Sequence, residues 1–421
     1  MALPVARTFR ALKYRNFRLF FVGQGLSLIG TWLQQVAMGW LTYRLTGSAW
    51  LLGVVAFCSN AGILLFGNLA GVLADRINRR RGLFVTQSLM LTQAVVLAAL
   101  TATDLVRTWH LVVLALWLGT CTAFDLPMRQ SLYIRFVDDR ADLPNAIALN
   151  SFLVNTARVV GPAVAGILLS TTGEAACFAL NAFSFVAVIV ALARMRWSED
   201  ARPRLAGGWW TSWLEGVRYA ISLAPTRSLL ILVAVLSFTV SPYTTLMPVY
   251  ARDIYGGDAN TLGALLSSAG IGALSSTEYL ASRPSVRGLG RLIVLAAAVA
   301  GIALAAFSYL RVYPLALVVM LAIGGGLILA AAASNTILHT IVDEHLRGRI
   351  ASFYTLAFVG VAPLGNLAAG ALAERFGAPM TFLLNGALAI VAALWFRRQL
   401  PEIRRTLRPI YRRLGIITDG R

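Results

Sequence analysis

The sequence predicts an all-α membrane protein of twelve transmembrane helices arranged as two pseudo-symmetric six-helix halves. Three observations predict it. Of 421 residues, 58% are hydrophobic and only 13% charged, whereas soluble domains carry roughly 45–50% and about 25%. Twelve apolar segments are each long enough to cross a bilayer, which takes about 20 such residues. Basic residues also alternate between successive loops: 31 of the 37 fall on one side and only Arg44, Arg107, Arg252, Arg311 and Arg375 on the other, with Arg158 inside a span.

The segments fall at about 19–43, 51–73, 83–103, 109–128, 145–170 and 176–195, then about 228–250, 261–282, 291–310, 314–338, 351–373 and 379–397. Helix is required because a bilayer offers backbone groups no water, and the runs are too long and too apolar for barrel strands. The arginine bias places both termini and the central loop in the cytoplasm, which an even number of spans also requires. This charge is therefore topological, and the net +19 does not point to nucleic acid. The arginine-rich tail is expected to rest on anionic lipid at the cytoplasmic face.

The domain reading is 1–195 for the first half, 196–227 for a cytoplasmic linker, 228–400 for the second half and 401–421 for the tail. Within the linker, residues 209–219 (WWTSWLEGVRY) read as an interfacial amphipathic helix. The halves look alike: VDDRADLPNAIALN at 137–150 is echoed by VDEHLRGRIASF at 342–353, and Gly161-Pro162 by Pro363 and Gly365. Duplicated halves of this kind hold substrate near mid-membrane and rock to alternate access.

The strongest motif joins the second and third spans: Gly71, Asp75, Arg76, Arg79 and Arg80 in GVLADRINRR. It resembles the signature loop of the major facilitator superfamily, with Asn78 where that pattern has glycine. The resemblance implies a conformational latch, with Gly71 allowing close helix approach. The fifth span carries Gly161, Pro162 and Gly166 in ARVVGPAVAG, similar to the antiporter motif of exporters in that superfamily but with two alanines for glycines. Longer stretches resemble the enterobactin-exporter and macrolide-efflux branch (drug:proton antiporters, third group). These include residues 14–48, FDLPMRQSL, LMPVYARDIYG, LRGR and APLGNLAAGALAERFG, and the resemblance covers about residues 9–400. It implies the major facilitator fold and a monomeric carrier in a bacterial cytoplasmic membrane, with a small-molecule substrate (siderophore, macrolide or drug) and protons as its partners.

Ionisable residues inside spans are functional candidates because a charge at mid-bilayer is costly. Asp125 is the first candidate for proton coupling, since a carboxylate taken out of water binds a proton more readily; a structural pair with Arg129 is the competing role. Glu278 is the second. Arg158 lies near mid-span and shares a polar face with Ser151, Asn155 and Pro162. It could meet an anionic substrate or sit in a fixed ion pair. Gln24, Thr31 and Gln35 keep helical spacing on span one, and Thr239 and Tyr243 sit in a hydroxyl-rich stretch of span seven. These two spans are expected to line the cavity, with Phe358 as an aromatic wall.

Cys58, Cys121 and Cys177 lie in apolar runs, and no zinc spacing exists among cysteines and histidines. The first apolar run has no cleavage site and reads as a span. With no phosphate-binding glycine loop, no catalytic constellation and no cofactor motif, the expectation is a secondary active exporter that is not an enzyme. An importer or facilitator of the same fold is the alternative. A membrane scaffold or receptor is the reading from another class, and the polar spans argue against it.

Overall fold

The computed structural model describes residues 9–133, 136–137, 139–196, 223–283, 285–343 and 346–413. Among them the chain is helical, with no strand. The first six long helices are α1 (Arg15–Thr46), α2 (Ala49–Arg76), α3 (Arg79–Ala102), α4 (Thr108–Tyr133), α5 (Leu143–Thr171) and α6 (Glu174–Arg194). The next is α7 (Ala224–Thr239, resumed at Tyr243–Val249 and closed by a π-turn, Tyr250–Ile254), followed by α8 (Ala259–Ala281), α9 (Leu289–Ser308) and α10 (Tyr313–Ile341). The last two are α11 (Arg347–Thr355, a π-turn at Leu356–Gly360, then Ala362–Phe376) and α12 (Ala378–Arg413). Ten of these segments are long and apolar enough to cross a membrane. The other two, α1 and α8, span 32 and 23 residues, and residues such as Gln24, Gln34, Gln35, Ser267 and Thr277 dilute their apolar content.

Local chemistry sets the helix ends. Gly47 closes α1 in the left-handed region at φ 62°, a conformation that glycine adopts without strain. The Ser48 side chain accepts from the Leu51 amide to start α2, and Asn78 Oδ1 accepts from the Arg81 amide to start α3. Asn78, the departure from the family loop pattern, is thus a helix N-cap. Prolines stand in the first turns of α5, α7 and α10, where a missing N–H costs nothing.

Three details go beyond the sequence reading. The seventh and eleventh spans are not continuous α-helices. Val240 to Pro242 interrupt α7, where proline cannot donate to the preceding turn. In α11 the π-turn precedes Pro363, and the Val361 amide reaches back to the Leu356 carbonyl at 3.0 Å. The wider turn relieves the clash of Pro363 with the carbonyl four residues earlier. Third, α12 does not end at the membrane boundary; it runs on through residue 413. Leu400, Ile403 and Leu407 stay buried on one face, so the arginines on the other face do not stop the helix. The expected interfacial helix at 209–219 lies outside the described residues.

By contacts the chain forms two units: unit 1 is Met1–Pro203 with Pro248–Ser267, and unit 2 is Arg204–Met247 with Ser268–Arg421. In unit 1, α1 packs on α5 and α6, α2 on α4, and α3 on α4 and α6. Its core at the Arg15 end of α1 is aromatic, with Phe20 6.4 Å from Phe17 and 5.9 Å from Phe136 between ring centroids. Further along, Gln34 donates to Gln93 at 3.0 Å and Asn181 donates to Gln34 at 2.7 Å. This amide chain joins α1, α3 and α6, and each such bond in a membrane protein contributes about 0.6 kcal/mol. In unit 2, α12 packs on α7 and α9, and α9 on α10, with Phe307 and Phe382 6.1 Å apart in its core.

A polar clasp ties the start of the described chain to α5. Asp142 is fully buried. It pairs with Arg10, lies 2.7 Å from the Lys13 ammonium and accepts from the Tyr14 hydroxyl at 2.9 Å. The Ala11 amide donates to Asn145 Oδ1 at 2.9 Å. Lys13 holds the Asp142 carboxyl below the usual carboxylate range; burial opposes this, and Tyr14 and Arg10 add to it. The same pairing raises the Lys13 ammonium. The carboxylate's contribution to stability is therefore present above its ordinary pKa and lost as pH falls through the lowered one. The ammonium's contribution is present below its ordinary pKa and lost as pH rises through the raised one. Asp142→Asn is expected to lower the melting temperature in detergent at pH 7, with the difference from wild type shrinking as the pH falls below the ordinary carboxylate range and vanishing below the lowered pKa. Identical melting curves at pH 7 would remove the clasp as a stabilising contact.

Candidate functional site

Asp125 is 1% exposed inside α4. One carboxylate oxygen accepts from Thr86 Oγ1 at 2.9 Å and Gln87 Nε2 at 2.7 Å, both on α3. The other lies 3.2 Å from Arg129 Nε, one turn along α4, and is without a hydrogen bond among the described residues. Arg129 in turn donates through NH1 to Gln24 Oε1 on α1, at 3.2 Å. Three polar side chains on two helices thus contact one carboxylate, and the arginine extends the cluster to Gln24 on a third. Pro127 sits between the two charged residues; its missing N–H leaves a backbone carbonyl unpaired by the helix.

Beside this cluster is a cavity of about 20 Å³, lined by Gln24, Gln87 and Arg129 and by apolar residues including Phe20 and Val188. That volume suits a water molecule and is far below the roughly 300 Å³ of a small-molecule pocket.

The other candidates on α1 and α5 divide. Thr31 and Gln35 are exposed while Gln24 is buried, so the three do not share one surface. Thr31 spends its hydroxyl on the Ser27 carbonyl of its own helix. Asn155 donates to the Ser151 carbonyl, and Arg158 is half-buried.

The antiporter-like face of α5 is a packing surface on two sides. A Cβ on Gly161 would stand 2.4 Å from Trp32 Cβ of α1. On the other side, Gly166 meets Gly263 of α8, where a Cβ would lie 2.6 Å from the Pro162 carbonyl and 2.9 Å from Gly166 Cα. Ser267 Oγ donates to the Val159 carbonyl at 2.9 Å, and the Tyr43 hydroxyl donates to Asp253. All of these contacts lie within unit 1, which includes residues 248–267.

The remaining candidates belong to unit 2 or to the loop motif. Thr239 is buried and bonds back to the Val235 carbonyl. Tyr243 is half-buried. Phe358 lies in the π-turn of α11, stacks on Tyr354 with ring centroids 6.2 Å apart, and accepts at its carbonyl from Ser237 of α7. Glu278 is exposed near the end of α8 and has no ion-pair partner among the described residues. The side chains of Asp75 and Arg76 lie outside the described residues; Arg79 is half-buried and Arg80 is exposed, its guanidinium 5.8 Å from the Phe84 ring centroid. Among the described residues, nothing lies within 4 Å of a Cβ placed on Gly71.

Sequence reasoning missed Thr86, Gln87, Gln93 and Asn181. Their signal was available, as hydroxyls and amides inside spans otherwise made of Leu, Val, Ala and Met. A buried polar group in lipid needs a protein partner.

The described residues thus give membrane-length helices with buried polar clusters, broken segments and close glycine-to-glycine contacts. The chain belongs to the transmembrane secretion effector family of the major facilitator superfamily, whose model matches residues 6–411. It is a multi-pass membrane transporter and not an enzyme. It is similar to the staphyloferrin A transporter of Staphylococcus aureus, with 26% identity covering 90% of this chain and 95% of that protein. It is also similar to the multidrug efflux pump Tap of Mycolicibacterium fortuitum, with 26% identity covering 84% and 88%. Among solved structures, the nucleoside transporter NupG shares the fold at TM-score 0.68 and 15% identity, over 92% of this chain and 99% of that one.

Two outcomes follow from this geometry. Gly263→Val forces a branched side chain into Pro162 and Gly166 and is expected to cost about 1–3 kcal/mol, seen as a lower melting temperature in detergent; unchanged melting would mean that α5 and α8 are not packed at this point. Arg129→Gln takes away the guanidinium facing one Asp125 oxygen and should destabilise by up to about 3–5 kcal/mol. The double variant Asp125→Asn/Arg129→Gln should recover most of that loss, and a double-mutant cycle showing no coupling would contradict the pair.

Proposed function

We propose that this transporter exports a small amphiphilic or aromatic compound from a bacterial cytoplasm in exchange for protons, with both termini cytoplasmic and Asp125 as the proton-bearing group. The observation that carries the reading is the Asp125 cluster. A carboxylate with 1% exposure has one oxygen held by neutral donors and the other facing only a guanidinium. Such a group has two self-consistent states. Charged, it binds Arg129. Protonated, it releases Arg129, whose other partner is Gln24 of α1. A proton taken up on α4 is thereby felt on α1, and the cavity against Gln87 and Arg129 has room for one water beside the cluster. The site is too small for the cargo, so coupling acts through helix position rather than by contact between proton and substrate.

Exposed Thr31 and Gln35 on α1, with Asn155 and Arg158 on α5, supply polar surface for cargo in unit 1; Tyr243 and Phe358 supply aromatic surface in unit 2. The named cargo of relatives, a siderophore in one and several drugs in another, supports amphiphilic compounds as the class. The side of the membrane follows from the arginine distribution. Glu278, exposed near a helix end, has less to support a proton role.

Inside-out vesicles holding the wild-type protein, with the interior acidified and a pH dye enclosed, should lose protons when siderophores, macrolides or cationic dyes are added in turn. At least one compound should give a response, and Asp125→Asn should reduce that response at least tenfold while the purified variant still binds the compound. Exchange at the wild-type rate in Asp125→Asn would remove Asp125 from the coupling. Proton movement in the opposite sense would make the protein an importer.

A further inference from the structure

Past its membrane-length portion, α12 lies over a cavity of about 280 Å³ in unit 2. The floor is apolar: Leu229 of α7, Ile337 of α10, and Phe396, Leu400, Ile403 and Leu407 of α12, all 7% exposed or less. The rim carries Arg291, Arg404, Arg408 and Tyr411. All three arginines are exposed, no carboxylate lines the cavity, and none of the three is paired with an acid among the described residues.

This charge pattern is unfavourable unless something answers it. Arg404 and Arg408 are four residues apart on one helix, where like charges repel. Arg291 stands in the first turn of α9, where the helix dipole disfavours a cation. The dipole would explain basic residues in the last turn of α12, but it cannot explain Arg291. Burial pushes the Tyr411 phenol up, so its hydroxyl remains a donor at neutral pH. Three cations and a donor thus converge over an apolar floor, in a protein that spans a lipid bilayer.

We propose that this cavity binds an anionic phospholipid, with one acyl chain on the apolar floor and the phosphodiester at Arg291, Arg404 and Arg408. A free phosphate would leave the floor empty, and a zwitterionic headgroup would set its own cation against the arginines. The bound lipid would tie α12 to α9 through a shared anion. The site is independent of the Asp125 cluster and does not rest on proton exchange.

The test uses the full-length protein, delipidated in mild detergent, with lipid retention read by native mass spectrometry. The probes are dioleoyl phosphatidylglycerol, dioleoyl phosphatidylcholine and glycerol 3-phosphate. The variant is Arg291→Gln/Arg404→Gln/Arg408→Gln. The control is Arg397→Gln/Arg398→Gln/Arg405→Gln, which removes the same charge from α12 away from the cavity. Both sets replace exposed residues, so the core is not disturbed. Wild type and control should retain phosphatidylglycerol well above the other two probes. The cavity variant should lose roughly a hundredfold in phosphatidylglycerol affinity, about fivefold per arginine. Equal loss in variant and control would reduce the effect to diffuse surface charge and overturn the site, as would unchanged affinity in the cavity variant. Glycerol 3-phosphate binding as tightly as the lipid would make this a phosphate site and overturn the acyl-chain assignment.

Discussion

Inside a membrane-spanning unit, a carboxylate has no water to fall back on. Asp125 must therefore draw its partners from neighbouring helices, and doing so organises unit 1 around it. Thr86 and Gln87 commit α3 to one oxygen, Arg129 faces the other, and the same guanidinium reaches Gln24 on α1. A buried ion pair is weak evidence for stability, because desolvation offsets most of the Coulomb gain. Its more telling property is connection: the one pair links α3, α4 and α1 through Thr86, Gln87 and Gln24. That property suits a carrier that must pass between conformations.

The backbone shows the same accommodation. Proline and π-turns interrupt α7 and α11, and the Ser237 to Phe358 hydrogen bond joins the two helices near their irregular segments. Irregular backbone within a membrane is tolerated only where protein or water satisfies it. Elsewhere the packing is close and nearly featureless, as where Gly166 of α5 meets Gly263 of α8. Surfaces without side chains can slide or part without breaking specific bonds. Two polar contacts in the same unit, Tyr43 to Asp253 and Ser267 to the Val159 carbonyl, are bonds to make or lose.

The helices were legible because lipid imposes one rule on every span: about 20 apolar residues with their backbone bonds made internally. The same rule made Asp125 conspicuous, since a carboxylate among Leu, Phe and Ala needs a reason to be there. Its partners were less legible. Thr86 and Gln87 precede it by nearly forty residues, and nothing in one-dimensional spacing says that this turn of α3 faces this turn of α4. Gln24 was noticed as polar, but as a cavity wall rather than the ligand of an arginine. Thr31 and Gln35 share its periodicity yet not its environment, because neighbouring helices cover only part of the α1 surface. Gly71 belongs to a recognisable motif, but spacing cannot reveal what stands opposite a glycine.

The sequence by itself determined the helical class, the run of spans, the family resemblance and the side of the membrane that the arginines favour. Each of these is a property of composition summed along the chain, or of short contiguous motifs. Only the tertiary structure decided which polar residues meet, that residues 248–267 join unit 1, and that α12 continues as an amphipathic helix over an arginine-rimmed cavity. Those outcomes depend on the rotation of each helix about its own axis. A bilayer exerts almost no preference over that rotation once all faces are apolar, so it is set by packing against neighbours that are distant in sequence.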